Sequence, residues 1–329
     1  MIRVRCRYAA CVVFSAWALA GGATDSLAQS YPARPIRLIA PFAPGGGVDL
    51  IARLLGAGLG RGDSLGQTVV VDNRTGAGGA IGTEIAARAE ADGYTLILGN
   101  STTHGVNQAY FRLRYDSVRD FTPITLVATA PLLLATSSAL PAKSVKEFIA
   151  LAKARAGQLN YGSAGGGSVT HLSMELFKFV TGTNIVHIPY KGVGPVFIAM
   201  VSGEVQCIIV AATASMAHVR AGRIRALGLT GLKRSRLLPE VPTLAEEGIT
   251  GFEADYWYGL LGPSGMPKPV LARLNREAVK IIRGAEFSQK MVTQGVEPTS
   301  STPEAFRKIV TAEVAKWMKL VKDAGIKTQ

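Results

Sequence analysis

The sequence predicts an α/β protein of two lobes, each built around its own sheet. Short apolar, β-rich runs alternate with stretches of helical periodicity, which is typical of βα units around parallel sheets. These units fall into two sets, one near the N terminus and one in the middle of the chain. Two strand-like runs, residues 125–137 and 256–261, connect the sets. We therefore expect two lobes joined by a hinge that closes around a ligand.

The first thirty residues are typical of an export signal. Arg3, Arg5 and Arg7 form a basic start, residues 9–22 are apolar, and Ala28 ends a Ser-Leu-Ala sequence. About 14 apolar residues are too few for the roughly 20 that cross a bilayer. We expect a signal peptide over residues 1–28, cleaved after Ala28, and a mature protein in the periplasm.

Composition and charge exclude several classes of protein. With 48% hydrophobic and 18% charged residues, the chain has the content of a globular protein rather than of a disordered one. The net charge is +13, but Lys and Arg are spread along the chain without a basic run that interleaves with aromatic residues. We expect no nucleic-acid partner. The four histidines show no metal-ligand spacing, and Cys207 has apolar neighbours, so we expect no metal and no cofactor.

In the first lobe, three predicted strands each end in a loop rich in Gly, Ser or Thr. The strands span 36–40, 68–71 and 95–98, and the loops span 41–47, 73–80 and 99–104. Helical spacing resumes at Val48 and at about Gly82. In open α/β sheets, ligands bind at the edge where parallel strands end. The three loops are therefore candidate ligand loops.

The second lobe repeats this order of elements. Ser144 and Glu147 have the spacing of a capping box, and Ser168 is placed to cap the next helix. The predicted strands span 159–162, 185–188 and 205–211, the loops 163–168 and 189–192, and the helices that follow the loops 169–180 and 195–201. A last helix begins after Thr302, with Pro303 at its first position. We place lobe 1 in residues 29–130 and 254–329, and lobe 2 in residues 131–253.

Glycine-rich loops at helix N termini predict a site for an anion. Without side chains, the backbone N–H groups can approach a ligand closely, and the helix dipole favours negative charge. We expect a small organic acid to be held by amides and hydroxyls. The predicted ligand-binding residues are Phe42, Pro44, Gly45, Gly46, Asp49, Gly76, Gly78, Gly79, Ser101, Thr102, Ser163, Ser168, His171, Tyr190, Lys191 and Gly192. The alternative for each loop is structural, since Gly turns and Ser caps occur in every α/β protein.

Asp49 has two interpretations of its own. In the first turn of a helix an acid is favoured by the dipole, and this structural role is the stronger prediction. A ligand with an amino group would give Asp49 a direct contact instead.

The sequence predicts no catalytic residue. Ser163, His171 and Asp49 could be imagined as a hydrolase triad, but the Gly-x-Ser-x-Gly elbow is absent, because Tyr161 stands two residues before Ser163. Neither glycine-rich loop of the first lobe continues into Gly-Lys-Ser/Thr, and the spacing of Gly45, Gly46 and Gly47 is not that of a dinucleotide fingerprint.

Several motifs resemble those of one family. They are Tyr31-Pro-Ala-Arg-Pro-Ile36, Pro41-Phe-Ala-Pro-Gly-Gly46 with Asp49, Asn73-Arg-Thr-Gly-Ala-Gly-Gly79, Ala91-Asp-Gly-Tyr-Thr95, Asn160-Tyr-Gly-Ser163, His187-Ile-Pro-Tyr-Lys-Gly192, Leu238-Pro-Glu-Val-Pro-Thr-Leu244 and Gly262-Pro263. In this order, they make the chain similar to the Bug-type family, the substrate-binding proteins of tripartite tricarboxylate transporters.

The resemblance implies a type II periplasmic binding-protein fold with two crossover hinge strands, a carboxylate ligand and a two-component membrane permease as partner. It also implies ligand contacts by Pro44, Gly45, Gly46, Gly78, Gly79, Ser163, Ser168 and Tyr190. After the Gly-Glu-Val turn at residues 203–205, relatives commonly have an acidic and an aromatic residue. This chain instead continues with Gln206, Cys207 and the apolar residues 208–210, followed by Ala211-Ala212-Thr213, so we expect this wall of the ligand pocket to be apolar.

We expect a monomeric receptor that feeds uptake. A signalling partner that presents its closed form to a sensor protein is the alternative, and an enzyme is a third.

Overall fold

The computed structural model describes residues 31–250, 252 and 254–329. The predicted signal peptide and its cleavage site lie outside the described residues. In the part of the chain that is described, none of the helices combines the length and the apolar character needed to cross a membrane.

The first sheet has six strands and forms the centre of lobe 1. Its strands are β1 (Ile36–Ala40), β2 (Val69–Asn73), β3 (Thr95–Asn100), β4 (Phe121–Ala130), β10 (Tyr256–Pro263) and β11 (Glu297–Pro298), and their order across the sheet is β11-β4-β10-β3-β1-β2. The helices of this lobe are α1 (Gly47–Leu59), α2 (Ala80–Ala87), α3 (Asn107–Tyr110), α8 (Lys268–Arg283), α9 (Ala285–Thr293) and α10 (Pro303–Asp323). A π-helical turn, Thr102–Val106, precedes α3.

The second sheet has five strands and forms the centre of lobe 2. Its strands are β5 (Leu132–Ser137), β6 (Asn160–Ser163), β7 (Val186–Pro189), β8 (Cys207–Ala211) and β9 (Ile224–Leu229), in the order β7-β6-β8-β5-β9. The helices are α4 (Val145–Ala154), α5 (Val169–Thr181), α6 (Val193–Ser202) and α7 (Ala212–Arg220). The chain crosses from one sheet to the other between β4 and β5, and returns between β9 and β10.

Strand register places the ligand loops of the two lobes opposite each other. In lobe 1, β1 runs parallel to β2 and β3, and β4 runs in the same direction because both β3 and β4 are antiparallel to β10. Since β4 passes through Pro131 directly into β5, the carboxyl edge of the first sheet faces lobe 2. In lobe 2, β6 is parallel to β7 and β8, and Ala211 at the end of β8 pairs with Leu132 at the start of β5. The carboxyl edge of the second sheet therefore faces lobe 1.

The last helix, α10, takes part in the cores of both lobes. α1, α8 and α9 cover one face of the first sheet, while Phe306 and Val310 of α10 pack on the other. Further along α10, Trp317 and Leu320 belong to the same buried cluster as Leu172 of lobe 2. The last helix therefore contacts both lobes.

Several elements differ in their bounds from the prediction. The predicted run 125–137 is two strands, β4 and β5, separated at Pro131. The helix predicted from Gly82 begins two residues earlier, and the one predicted from Pro195 begins at Val193. The caps at Ser144, Ser168 and Thr302 form as predicted, each accepting a backbone N–H from the first turn of its helix. The division into lobes at residues 130/131 and 253/254 stays a prediction.

Candidate ligand-binding site

The loop after β1 is built around the carboxylate of Asp49. This side chain is 4% exposed and accepts hydrogen bonds from the Gly45 backbone N–H at 2.9 Å and the Asn73 amide at 3.0 Å. It also pairs with Arg53 at 2.9 Å. The Arg53 hydrogen bond, assisted by those from Gly45 and Asn73, lowers the pKa of Asp49 to about 2 against the effect of burial. The carboxylate therefore shapes the loop that carries Pro44, Gly45 and Gly46.

The loop after β2 contains an unusual run of left-handed residues. Gly76, Ala77, Gly78 and Gly79 all have positive φ, and the Gly79 N–H donates to the Gly76 carbonyl at 2.9 Å. A Cβ atom at Gly79 would lie 2.7 Å from Thr103 and 3.1 Å from the Phe42 ring. Only glycine fits both the backbone and the space. The contact brings the loops after β1, β2 and β3 together.

The loop after β3 is fastened to the hinge strand β10. The Ser101 hydroxyl accepts a hydrogen bond from the Trp257 backbone N–H at 2.9 Å. The side-chain oxygen of Asn100, Oδ1, accepts hydrogen bonds from the backbone N–H groups of Thr102 and Thr103 at 3.0 Å each. Ser101 and Thr102 are both buried. Their predicted ligand contacts remain predictions; in this structure Ser101 links the loop to a strand that leads to the other lobe.

The loop after β6 is closed by its own hydroxyls. Ser168 caps α5 by accepting the His171 N–H, and its hydroxyl donates to the Gly165 carbonyl at 2.7 Å. The Ser163 hydroxyl, fully buried, accepts the Gly165 N–H at 3.1 Å. Thr170 accepts the Ala164 N–H at 2.9 Å. Ser163 and Ser168 were predicted as ligand contacts, and here both shape the loop.

Two histidines, His171 and His187, contact the same loop through their ring nitrogens. His171 accepts the Gly167 N–H on Nδ1 at 3.1 Å, and Nε2 of His187 lies 2.6 Å from the Ser163 hydroxyl. The two imidazole rings stack, with their centroids 4.1 Å apart and 11° between their planes. Burial, followed by the proximity of His171, lowers the pKa of His187 to about 4, and burial also lowers the pKa of His171. His187 was not among the predicted ligand-binding residues.

The loop after β7 contributes backbone more than side chains. The Tyr190 N–H donates to the Ser163 carbonyl, and the Gly192 N–H donates to the Ala164 carbonyl at 3.3 Å. The Tyr190 hydroxyl instead donates to Glu204, which follows α6, at 2.8 Å. Burial and Glu204 raise the pKa of Tyr190 to about 12. Lys191 is exposed, and Gly192, with φ of +99°, precedes α6. The phenol of Tyr190 thus points towards the far end of α6.

Tyr110 joins the loops of the two lobes, and sequence reasoning missed it. A Cβ atom at Gly167 would lie 2.3 Å from the Tyr110 ring, and one at Gly166 would lie 2.9 Å from its hydroxyl. From the same short helix, Asn107 donates to the Gly78 carbonyl at 3.0 Å. The short helix therefore lies between the glycine loop of lobe 1 and that of lobe 2. The adjacent aromatic residues 110 and 111 after a polar loop were the available signal.

The chemistry of the facing loops is suited to an anion. α1, α2 and α6 begin after Gly46, Gly79 and Gly192, and none of these glycines supplies a capping side chain. First-turn N–H groups without intrahelical partners attract negative charge, together with the helix dipole. Among the described residues, no group of three or more His, Cys, Asp or Glu side chains could hold a metal. Burial also raises the pKa of the Cys207 thiol, which disfavours the reactive thiolate.

Fold and site together define a two-lobed ligand-binding protein of the periplasmic type. The family described as "Tripartite tricarboxylate transporter family receptor" matches residues 51–326. The chain belongs to this family. It is 38% identical to Protein BugT of Bordetella pertussis over 312 residues, which covers 94% of this chain and 95% of that protein.

Solved structures of similar proteins agree with this assignment. R. palustris Rpa4515 with adipate is 37% identical, with a TM-score of 0.79, and the match covers 91% of this chain and all of that one. MatC from Rhodopseudomonas palustris with bound malate is 31% identical, with a TM-score of 0.76, and the match covers 88% of this chain and all of that one. The predicted family and periplasmic-binding fold are confirmed, and so is the prediction of a receptor rather than an enzyme.

Proposed function

We propose that this chain is a periplasmic receptor that binds a small carboxylate between its lobes and delivers it to a two-component membrane permease. One observation carries the proposal: the carboxyl edges of two parallel sheets face each other, and three helices that begin after uncapped glycines start at that edge. Backbone N–H groups at such positions bind anions without a positive side chain. Relatives solved with adipate and with malate support the same ligand class.

The proposed contacts come from both lobes. On lobe 1 they are Phe42, Pro44, Gly45, Gly46, Asp49, Gly76, Gly78, Gly79, Ser101 and Thr102, and on lobe 2 they are Ser163, Ser168, His171, Tyr190, Lys191 and Gly192. Side chains of Asp49, Ser163 and Ser168 are engaged in shaping the loops, so their proposed contribution is chiefly the placement of backbone N–H groups. We further propose that the chain works as a monomer, exported by a signal peptide that is cleaved after Ala28.

A thermal-shift screen tests the proposal. The chain of 329 residues is expressed, recovered from the periplasm, unfolded, dialysed to remove bound ligand and refolded. Its intact mass checks cleavage after Ala28. Mono-, di- and tricarboxylates are then compared with their neutral amides at the same concentration.

A ligand that binds only the folded state raises Tm, by an amount that corresponds to about 2.7 kcal/mol at 100 times its Kd. We expect one class of acid to raise Tm while its neutral amide does not. A shift by amides equal to that by the acids would disprove anion recognition by these loops. If no acid changes Tm, the proposal that the ligand is a carboxylate is wrong.

A further inference from the structure

The loop after β6 is held at both ends by one pair of stacked imidazoles. His187 contacts Ser163 at the start of the loop, and His171 accepts the N–H of Gly167 near its end. The rings lie against each other at 4.1 Å. A change in the charge of either ring therefore affects both ends of the loop.

The hydrogen bond to Gly167 requires a neutral His171. Nδ1 accepts a backbone N–H, so the proton of the neutral ring is on Nε2. Protonation of Nδ1 would place two donors face to face and break the bond. A second positive charge on His187, 4.1 Å away, would be repelled by the first. The geometry thus admits little protonation of either ring.

The charged groups around the pair act in opposite directions, since Glu175 favours protonation of both rings and Lys178 opposes it, while burial has the largest effect on the pKa of each ring. Glu175 of α5 is paired with Lys178 at 2.7 Å and also accepts the Tyr161 hydroxyl, so its charge is largely compensated. Tyr161 of β6 stacks on His187 at 4.7 Å, and Tyr110 of α3 meets His171 edge-on at 5.7 Å. Cys207 of β8 is a buried thiol. Burial and mutual repulsion of the two rings therefore dominate, and the loop is stable with both rings neutral.

We propose that His171 and His187 are positioning residues for ligand binding, which hold the lobe 2 loop in its binding form only while both imidazoles are neutral. The proposal rests on the carboxylate-receptor function proposed above. It gives His171, in addition to the ligand contact proposed for it above, an action through the Gly167 N–H.

The direction of the pH effect follows from linkage. An imidazole freed by loop opening takes up a proton near pH 6.5, whereas in the closed loop burial lowers the pKa of both rings, and lowers that of His187 to about 4. Opening therefore becomes easier as the pH falls below 6.5. For His187 alone, the opening equilibrium increases roughly 30-fold between pH 7.5 and pH 5.0.

Amide hydrogen exchange at Gly167 tests the proposal without any ligand. In the unaltered protein, we expect the protection of this amide, corrected for intrinsic exchange, to fall at least tenfold between pH 7.5 and pH 5.0. In His171→Asn, whose side-chain oxygen replaces Nδ1 as acceptor and does not titrate, the fall should be smaller. His171→Leu should lack the protection at both pH values. Equal protection in the Leu variant and the unaltered protein would overturn the proposal.

His218→Leu is the matched control. This imidazole also stacks on an aromatic ring, Phe197 at 4.4 Å, but lies on α7 away from the loop. It should leave both the protection of Gly167 and its pH dependence unchanged. The same loss of protection in His218→Leu as in His171→Leu would show a general loss of packing and would also overturn the proposal.

Adipate affinity at pH 7.5 links the loop to binding. We expect His171→Leu to weaken adipate binding at least tenfold and His171→Asn to recover most of that loss. Unchanged affinity in the Leu variant would overturn the role in binding. If the unaltered protein binds neither adipate nor any other acid while Gly167 behaves as expected, the carboxylate function fails and the positioning of the loop by the two histidines stands.

Discussion

The loop after β1 and the loop after β6 have the same task and are built from different chemistry. The first is shaped by a buried carboxylate with Arg53 and Asn73 as partners. The second is shaped by hydroxyls and two neutral imidazoles. A loop held by an ionised acid keeps its hydrogen bonds until the pH approaches the lowered pKa of that acid. A loop held by neutral histidines weakens as soon as the pH falls below about 6.5.

The comparison also shows how each loop accommodates close contact. In lobe 1, Gly79 lets Phe42 and Thr103 approach within van der Waals distance of the backbone. In lobe 2, Gly167 lets Tyr110 of the other lobe do so. The first glycine joins loops of one lobe, and the second joins the two lobes. A larger residue at Gly79 should therefore distort the loops of lobe 1, whereas a larger residue at Gly167 should push the two lobes apart.

Gly167→Ala should have the largest effect on stability. The added methyl group would lie 2.3 Å from the Tyr110 ring, and the φ of +72° is unfavourable for alanine. Left-handed backbone costs an L residue roughly 1–2 kcal/mol, and overpacking adds about 1–3 kcal/mol. We expect unfolding free energy, measured with urea, to fall by about 2–5 kcal/mol.

Gly203→Ala separates the two causes. Gly203 has a similar φ of +86°, and a Cβ atom there would meet nothing within 4 Å. Only the backbone cost of roughly 1–2 kcal/mol should remain. If Gly167→Ala lowers the free energy of unfolding by no more than Gly203→Ala does, then close packing of Tyr110 on Gly167 does not contribute to stability. Tyr110→Ala combined with Gly167→Ala should recover the overpacking part.

The positions of several strands along the chain, and of the loops that follow them, could be predicted because the signals are local. Apolar runs that end in Gly-rich segments predicted β1, β2, β3 and β6 within a few residues, and Ser168 was correctly predicted as a cap. The boundaries were less accurate where tertiary contacts decide them. β2, for example, continues to Asn73 because Asp72 and Asn73 pair with β1.

The roles of the site residues could not be predicted because they depend on distant partners. Nothing local indicates that the Tyr190 hydroxyl reaches Glu204, that His187 lies beside Ser163, or that Tyr110 packs on Gly167. The pattern of Asp49 favoured a structural first-turn acid, and in the structure its carboxylate is bonded to Gly45, Asn73 and Arg53. Sequence patterns therefore located the loops, while contacts between elements determine what each side chain does.

Among changes in lobe 1, Gly46→Asp should weaken ligand binding most while having little effect on folding. Gly46 has φ of −80° and ψ of 170°, its Cβ would have only the Ala43 carbonyl within 4 Å, and Asp is a good N-cap. A carboxylate at this helix N terminus would occupy the proposed anion position. We expect the affinity for an acid that raises Tm in the thermal-shift screen to fall about 100-fold, or roughly 2.7 kcal/mol, with the Tm of the unliganded protein within a few degrees.

Gly62→Asp is the control for the added charge, since its Cβ would meet nothing within 4 Å and it lies beyond the other end of α1. It should leave the affinity for the same acid unchanged. Gly79→Asp is a poorer probe, because φ of +88° and the contacts with Thr103 and Phe42 would distort the loop as well. Unchanged affinity in Gly46→Asp would remove the β1 loop from the anion site.

Asp49→Asn should have the smallest effect, and its pH dependence distinguishes the two loops. Because the pKa of Asp49 is lowered from 3.8 to about 2 in the folded protein, its ionised form stabilises the fold above pH 3.8. This contribution is lost as the pH falls from 3.8 towards 2.

Arg53 is more than half exposed, so solvent screening limits the difference in the free energy of unfolding between Asp49→Asn and the unaltered protein to about 1 kcal/mol. Urea unfolding should show a constant gap between pH 7 and pH 5 that shrinks below pH 4, whereas Asp63→Asn, an exposed change, should show almost none. A gap that begins to close at pH 6.5 would mean that the loop after β1 depends on the histidines as well, and the two loops would then respond to acid as one unit.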